Sequence, residues 1–369
     1  AIEQTFSGTV AASSNVTATV SRNGDLIGRM YIEHDPNASV NENNYGHAML
    51  DYVELEIGGQ RIDKHYGHWM EVWSELTEPN PTGQSPAQST DLLSNSPTKF
   101  QRMACAGGVQ DTSSDPGVIF VPLQFYFCRN PGLALPLIAL QYHEVKVSIQ
   151  FEAQASLIRD VGAGADVAGL SPTFKLYVDY IYLDTDERRR FAQQSHEYLI
   201  EQVQYQSSSY VTGTDTTKAF DLHFNHPVKE LIWQLSTTAR ETTLAGGVPG
   251  DESTHAAGLS LASGALNLKL NGHDRFSTRD IRYFTRAQIW QHHTGFGGTA
   301  SLDSIGVYSF ALKPEEHQPS GTCNFSRIDN ARLVNDGTTN VGGVALNIYA
   351  INYNVLRIMS GMGGLAYSN

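Results

Sequence analysis

The sequence predicts an all-β protein made of two tandem eight-stranded antiparallel jelly rolls, with short helices and long loops. Three observations support this fold class. One strand-and-turn phrase occurs twice, only 17% of the 369 residues are charged, and no strand–helix alternation runs through the chain. A chain of this length is typical of about two domains, each large enough to bury its own core.

The repeated phrase starts at Val53 in the first half and at Leu266 in the second. In both copies apolar and polar residues alternate, as in a strand with one buried face. Each strand runs into a turn, Gly58-Gly59 in the first copy and Asn271-Gly272 in the second, and an arginine follows each turn. The simplest explanation is one β-unit present in two copies.

A second pair of matching strands closes the two halves, at residues 175–182 and 345–353. The charged segment 184–195 follows the first of these strands and precedes a new alternating strand. We therefore predict two jelly-roll domains, residues 1–195 and 196–369, with the boundary in this charged segment.

Alternation also predicts a half-buried strand over residues 143–152 and places an apolar row, 119–127, on another strand. The Asn23-Gly24 pair lies between the apolar segments 17–20 and 26–32, and Asn-Gly is a strong signal for a two-residue hairpin turn. The sequence therefore predicts that these two segments pair as a hairpin.

Helical signals are few. Trp69, Val72, Trp73 and Leu76 have the spacing of one helix face and predict a short amphipathic helix after the first repeat. A second short helix is predicted around residues 187–193. Many short strands with little helix favour a sandwich with Greek-key connections in each half.

Composition argues against several classes of function. The net charge is −13 and no basic block is present, so we expect no direct binding of nucleic acid. No run of about 18 apolar residues could form a membrane-spanning helix, and no signal peptide is evident. Cys105, Cys128 and Cys323 are isolated, which favours free thiols in a reducing compartment over a zinc site or a disulfide framework.

No motif marks a catalytic, cofactor or metal site. His65 and His68 lie near Asp63, and His292-His293 form a pair, but neither group has the spacing and third ligand of a metal site. We interpret them as surface or hydrogen-bonded structural histidines. The segment 184–187 lacks the glycine and terminal glutamate of a calcium loop and fits a helix cap with an acidic first turn. We expect no catalytic residue, no cofactor and no metal.

Several longer phrases are more specific than any periodicity. They lie at residues 21–27, 53–66, 131–146, 178–184, 196–202, 224–227, 309–330 and 352–367. Together, and in this order, they closely resemble the major capsid proteins of the nucleocytoplasmic large DNA viruses, especially those of the algal, chlorella-virus type. The resemblance runs from near the N-terminus to the end of the chain and breaks mainly in the long loops.

This resemblance implies a structural protein and not an enzyme. It implies a double jelly roll that assembles as a homotrimer, whose pseudo-hexagonal capsomers tile an icosahedral shell over an inner viral membrane. The expected partners are the chain itself, neighbouring capsomers, penton and minor capsid proteins, and attached glycans. The expected location is the outer capsid of the virion, with synthesis in the host cytoplasm. The family has an N-terminal segment ahead of the point where this sequence starts.

Arg188-Arg189-Arg190 is the only basic run in the chain. It has two interpretations that the sequence leaves open. The run can be a solvated face of the segment between the halves, or it can pair with acidic groups of a neighbouring capsomer.

Five asparagines are candidate glycan acceptors. Asn15, Asn37 and Asn324 begin Asn-x-Ser/Thr sequons. Relatives in the algal viruses carry glycans, often at non-standard sequences in outward loops. Asn335 and Asn340, in a predicted loop between two late strands, are therefore equally plausible acceptors.

Two other functions fit a tandem β-sandwich. A carbohydrate-binding, lectin-like protein is the alternative, because jelly rolls commonly hold sugars and 10% of the residues are aromatic. A polysaccharide lyase or glycosidase would need convergent carboxylates or a Tyr–Arg pair in a cleft, and no motif marks one.

Overall fold

The computed structural model describes residues 1–36, 44–79, 98–107, 117–152, 173–209, 217–237, 265–295, 305–336 and 344–367. The strands are β1 (Ile2–Gln4), β2 (Phe6–Ser7), β3 (Asn15–Thr19), β4 (Leu26–His34), β5 (Leu50–Ile57), β6 (Gln60–Tyr66), β7 (Ile119–Pro122), β8 (Leu135–Pro136), β9 (Val145–Phe151), β10 (Lys175–Ile181), β11 (His196–Ser209), β12 (Thr217–Asp221), β13 (Pro227–Thr237), β14 (Ala265–Leu270), β15 (His273–Asp274), β16 (Arg279–Asp280), β17 (Ile305–Ser309), β18 (Cys323–Asn324), β19 (Ala331–Asp336), β20 (Val344–Met359) and β21 (Met362–Leu365). The helices are α1 (Tyr45–Ala48), α2 (Gly67–Thr77), α3 (Lys99–Ala104), α4 (Tyr126–Arg129), α5 (Thr185–Gln193) and α6 (Gln288–His292), the last preceded by a π-helical turn, Tyr283–Ala287.

The first half is a jelly roll of two facing antiparallel sheets. Sheet A has the strand order β1-β10-β4-β7, and the short strand β8 also pairs with β4, at its first two residues. Sheet B has the order β2-β3-β9-β5-β6. Strands adjacent in a sheet are distant in the chain, so the connections are of the Greek-key kind.

The second half repeats the order of the four main strands of each sheet, while β2 of sheet B has no counterpart in sheet D. Sheet C has the order β11-β20-β13-β17 and sheet D the order β12-β19-β14-β15, with short strands β16, β18 and β21 at their margins. Every pairing in the described residues is antiparallel. The predicted fold class, two tandem antiparallel jelly rolls with short helices, is confirmed.

The two repeated hairpins have the same turn geometry. Gly58 and Gly59 have φ of 59° and 85°, while Asn271 and Gly272 have φ of 50° and 80°. Two successive residues with positive φ form the turn type whose twist matches that of antiparallel strands, and Gly and Asn adopt it with least strain. The repeat read from the sequence is therefore also a repeat of backbone conformation.

The core of the first half lies between sheets A and B. Alternate residues of β9, from Val145 to Phe151, are at most 1% exposed, as the alternation predicts. The second half has its own core between sheets C and D, which includes Trp233, Phe284 and Leu346. The outer face of sheet C, which points away from sheet D, belongs instead to the core of the first half. The two halves are thus joined by a continuous apolar layer.

Two local predictions were wrong. Asn23-Gly24 does not close a hairpin, because β3 pairs with β9 in sheet B whereas β4 pairs with β10 and β7 in sheet A. The segment crosses between sheets, and a Cβ on Gly24 would lie 2.7 Å from the Tyr180 side chain. The apolar row from Ile119 continues as strand only to Pro122. Beyond it the Leu123 amide still donates to the carbonyl of Met30 on β4, and the short helix α4 then begins at Tyr126.

The two predicted helices are present as α2 and α5. None of the helices in the described ranges is long and apolar enough to cross a membrane.

Candidate functional site: the junction between the two halves

The outer face of sheet C is covered by the helix and hairpin of the first repeat. Ile232, Tyr349 and Ile351 on this face are at most 1% exposed and share a core with α2. The hydroxyl of Tyr349 lies 2.9 Å from Nδ1 of His68 on α2. The apolar face of α2 therefore packs both against sheet C and into the core of the first half.

A chain of charges crosses one side of this junction. Glu201 on β11 accepts from Arg129 of the first half at 2.9 Å and from Lys229 of β13 at 2.6 Å. Lys229 is fully buried and also donates to the carbonyl of Pro314. Burial lowers the pKa of Lys229, and the charge of Glu201 opposes this shift. The Arg129 guanidinium in turn lies 5.2 Å from the ring centre of Trp73.

A second polar group follows α6. The ring of His293 lies 3.1 Å from a carboxylate oxygen of Glu230 and 3.0 Å from one of Glu315. Burial alone would lower the pKa of His293, but the two carboxylates raise it to about 9. Burial tends to raise the pKa of Glu315, but hydrogen bonds from His293 and Thr294 lower it. At neutral pH the group is thus a cation held between two anions.

The residues after His293 cap a helix of the first half. Thr294 Oγ1 donates to the carbonyl of Thr77 at 3.0 Å, and the Gly295 amide donates to that of Leu76 at 2.8 Å. These carbonyls are at the C-terminus of α2 and have no partner within the helix. A Cβ on Gly295 would lie 2.6 Å from the Leu76 backbone, so the close approach requires glycine.

Polar contacts also tie β6 to β11. Asp63 accepts from His65 Nε2 at 2.7 Å and from the amide of Val203 at 3.1 Å. The side chain of Gln202 donates to the carbonyl of Ile62. Asp63 and His65 are both buried, and their bonds are made inside the junction and not to a ligand.

The strand β21 forms a further tie between the halves. The amide of Tyr142 donates to the carbonyl of Gly361 at 3.0 Å, and the amide of Leu365 donates to Gln60 at 3.1 Å. The hairpin formed by β20 and β21 therefore extends over the loop before β9 and the start of β6.

This arrangement suits a rigid joint and not a reaction centre. The histidines singled out from the sequence are hydrogen-bonded structural residues, since His292 also contacts the carbonyl of Leu312 at 3.1 Å. In the part of the chain that the structure describes, no group of three or more His, Cys, Asp or Glu side chains could hold a metal ion. A core joined by buried ion pairs fixes the orientation of the two jelly rolls.

The arginine run lies on α5, which has no buried residue. Arg188 pairs with Asp25 of the first half at 2.9 Å. Burial tends to raise the pKa of Asp25, but Arg188 and the Leu183 amide lower it. Arg190 donates to the side chain of Gln194, four residues along the same segment, at 3.4 Å. The three arginines therefore differ, because Arg188 forms an ion pair with Asp25 of the same chain.

The predicted helix cap at α5 is partly present. Asp184 occupies the N-cap position, yet its side chain makes no cap hydrogen bond. Asp186 and Glu187 lie in the first turn, where their charges suit the helix dipole, as predicted.

The candidate glycan acceptors are spread over the molecule. Asn15 is exposed on β3, and Asn324 is partly exposed on β18, where its side chain accepts from the Ser326 amide at 3.1 Å. The loop placement of Asn335 was wrong, because this residue lies in β19 and is 2% exposed. Asn37 and Asn340 lie outside the described residues.

The sequence reasoning missed the charged junction residues Glu201, Lys229, Glu230 and Glu315. Lys229 and Glu230 interrupt the apolar strand β13 between Val228 and Leu231. In a strand whose two faces are both buried, any charged residue must find a buried partner. Two charged residues within an otherwise apolar strand were therefore the sequence signal that could have identified the buried ion pairs.

Comparisons with known proteins agree across the whole chain. Residues 1–184 match the family described as major capsid protein N-terminus, and residues 187–364 match the large eukaryotic DNA virus major capsid protein family. The major capsid protein of Pyramimonas orientalis virus is 46% identical over 100% of this chain and 90% of its own length. That of Paramecium bursaria Chlorella virus 1 is 40% identical over 100% and 91%.

Solved structures give the same result. The chain superposes on the subunit in a quasi-atomic structure of the PBCV-1 virus capsid with a TM-score of 0.79 and 37% identity, covering 100% of this chain and 96% of that one. The Faustovirus major capsid protein shares the fold at 12% identity, with a TM-score of 0.66 over 97% and 90% of the two chains. The resemblance seen in the sequence is confirmed: the chain belongs to the major capsid protein family of large eukaryotic DNA viruses and is a structural subunit of a virion capsid.

Proposed function

We propose that three copies of this chain form a homotrimeric capsomer of pseudo-hexagonal outline, and that these capsomers tile an icosahedral shell. One observation supports the proposal: each chain holds two jelly rolls whose main strands follow the same order, and the two share a continuous apolar core. Three such chains around a threefold axis present six similar blocks, which is a closed way to build a hexagonal tile.

The rigid junction between the two jelly rolls reduces the number of orientations that contacts between chains have to fix. Its apolar layer and buried ion pairs mean that the two blocks of a chain meet the symmetry axis as one unit. A flexible linker would leave the angle between the blocks to be fixed by each neighbour, at an entropic cost. The domain limits, 1–195 and 196–369, stay a prediction of the sequence.

The test is the mass and shape of the purified protein. Light scattering coupled to size exclusion is expected to give three times the 40.5 kDa chain mass, and electron microscopy is expected to show particles of hexagonal outline. A species of one or two chains that persists at high protein concentration would contradict the proposal.

We assign the contact between neighbouring capsomers to Arg189 and Arg190, because Arg188 is held by Asp25. Replacing both with glutamate is expected to leave the trimer intact and to weaken its assembly into shells, most clearly at low salt. Lys313→Glu is a control for a charge reversal elsewhere on the surface, since Lys313 is an exposed cation outside α5. Shell yield unchanged in the arginine double variant would disprove this contact.

The same proposal includes attached glycans, penton and minor capsid proteins as partners, an inner membrane beneath the shell, and synthesis in the host cytoplasm. Asn15 and Asn324 are the glycan acceptors that the described surface supports best, because both side chains reach solvent. Intact-mass measurement of protein from virions tests this. A mass equal to that of the unmodified chain would show that no glycan is attached.

A further inference from the structure

We infer that a glycan on Asn15 lies along a row of three tyrosines, Tyr52, Tyr66 and Tyr205, that begins on the outer face of sheet B. This face points away from sheet A, and the three residues are the tyrosine row. The inference rests on the proposed function, which makes Asn15 a glycan acceptor, and it names the surface that holds the sugars.

The first argument is the register of sheet B, which places the acceptor and the first two tyrosines in one line. Asn15 on β3 pairs with Gln150 on β9. Gln150 pairs in turn with Tyr52 on β5, and Tyr52 pairs with Tyr66 on β6. Three strand-to-strand steps of about 4.8 Å make this line about 14 Å long. A chain of sugars that starts at Asn15 and crosses the strands therefore meets the tyrosines one after another.

The second argument is that the line continues onto the second half of the chain. The rings of Tyr52 and Tyr66 are 6.4 Å apart, and the ring of Tyr205 on β11 lies 4.6 Å from that of Tyr66. Tyr205 is 37% exposed, and the other two tyrosines are partly exposed. The tyrosine row is thus continuous from β5 to β11 and remains accessible to solvent.

The third argument is that the contacts of Asn15 direct its side chain towards the row. Asn15 is exposed and begins an Asn-x-Thr sequon. Its Nδ2 donates to Oε1 of Gln150 at 3.3 Å. Burial raises the pKa of Tyr52, and a hydrogen bond with the Asn15 side chain opposes this rise. A glycosylated amide keeps one N–H, so one of these bonds can remain and hold the first sugar beside Tyr52.

The chemistry of this face fits a saccharide better than a protein. Beside the row, Thr17 and Ser148 share a hydrogen bond of 3.0 Å, and Lys64 Nζ lies 3.4 Å from the ring centre of Tyr52. Serine and lysine are depleted in protein interfaces, whereas hydroxyl, amide and ammonium groups can all bond to sugar hydroxyls. An aromatic ring also presents a negative face to the C–H bonds of a sugar. Because Lys64 lies over Tyr52, the other two rings of the row provide the main stacking surface.

The experiment begins with the sequon, which the chain allows to be changed without touching a tyrosine. Glycopeptide mapping of protein from virions shows whether Asn15 is occupied. The full-length chain is then secreted from eukaryotic cells, which glycosylate such sequons, in three forms. Thr17→Ala abolishes the sequon and leaves Asn15 in place, whereas Thr17→Ser keeps both the sequon and the hydroxyl and is the matched control against the wild type.

The measurement is hydroxyl-radical footprinting read by mass spectrometry, because the oxidation of a tyrosine follows its exposure to solvent. Oxidation of Tyr66 and Tyr205 is expected to be several-fold faster in Thr17→Ala than in the wild type, since the glycan no longer covers them. Thr17→Ser is expected to match the wild type. Tyr182, 64% exposed and outside the row, is the internal control and is expected to be oxidised equally in all three forms.

The outcomes separate this inference from the proposed function. An Asn15 peptide from virions that carries no sugar would contradict both the glycan proposed at this residue and the inference. An occupied Asn15 with equal oxidation of Tyr66 and Tyr205 in the wild type and in Thr17→Ala would overturn the inference alone. The trimer is tested by its mass and does not depend on either result.

Discussion

Sheets A and C have the same strand order and the same place in their jelly rolls, yet their outer faces differ. On sheet C this face presents Ile232, Val307 and Ile351, all fully buried against the first half. On sheet A it presents Tyr31, Phe120 and Tyr177 among charged residues, all in contact with solvent. The difference teaches that one topology can carry two chemistries, since the residues on a face follow what covers it and not the strand order.

The energetic consequence is that the same substitution should have unequal effects on the two faces. Each buried methylene at the sheet C face contributes about 0.8 kcal/mol to folding, whereas side chains on the sheet A face contribute less because they stay partly in contact with solvent.

The largest effect is expected for His293→Ala at the edge of the covered face. The substitution leaves the buried carboxylate of Glu230 without its cation, and breaking a buried pair in this way costs about 3–5 kcal/mol. Chemical denaturation of the purified variant measures the loss. The double variant His293→Ala/Glu230→Gln should recover much of it, and a double variant as unstable as the single one would show that the charge is not the cause.

Ile351→Ala, in the centre of the covered face, is expected to lower the free energy of unfolding by about 2–4 kcal/mol, because the cavity cannot fill with water. Ile351→Val is the graded control, with a loss of about 1 kcal/mol. Equal losses in both variants would argue against a tightly packed junction.

The pH dependence of stability sharpens the same comparison. Because the folded pKa of His293 is raised to about 9 from 6.5, its contribution is fully present below pH 6.5 and is lost as the pH rises through about 9. The melting temperature of the wild type should therefore fall more between pH 7 and pH 9.5 than that of His293→Gln. Parallel curves for the two proteins would show that His293 does not hold its proton as described.

The smallest effect on the single chain is expected for Tyr31→Ala on the open face. The substitution removes ring contacts with Tyr177 and Phe120 on a half-exposed face, so the free energy of unfolding should change by about 1 kcal/mol or less. Chemical denaturation of the purified variant measures the change. A variant destabilised as much as Ile351→Ala would mean that the two faces are not distinct in the way described.

Local patterns predicted much of this fold. The alternation in β5, β9 and β14 identified strands, and the Gly58-Gly59 and Asn271-Gly272 turns identified the repeat, because these signals depend only on neighbouring residues. The helix α2 was predicted for the same reason. Such patterns could not say which strands share a sheet, and the Asn23-Gly24 prediction failed on that point.

The junction was harder to predict because its partners are far apart in the chain. Asp63 meets Val203 across 140 residues and His68 meets Tyr349 across 281. Sequence reasoning found the histidines as isolated structural residues, but it could not supply the carboxylates that hold His293. Only the folded chain brings Glu230 and Glu315 to the same ring.

The hairpin of β20 and β21 has a consequence for the order of events on the ribosome. Strand β20 is central in sheet C, and β21 reaches back to Gln60 and to the loop before β9. Residues 344–359 are translated after β11 and β13, the strands between which they lie, so sheet C cannot be completed until β20 has left the ribosome. A nascent chain should therefore expose the part of the apolar side of α2 that sheet C later covers, and this surface is prone to premature contacts until β20 is in place.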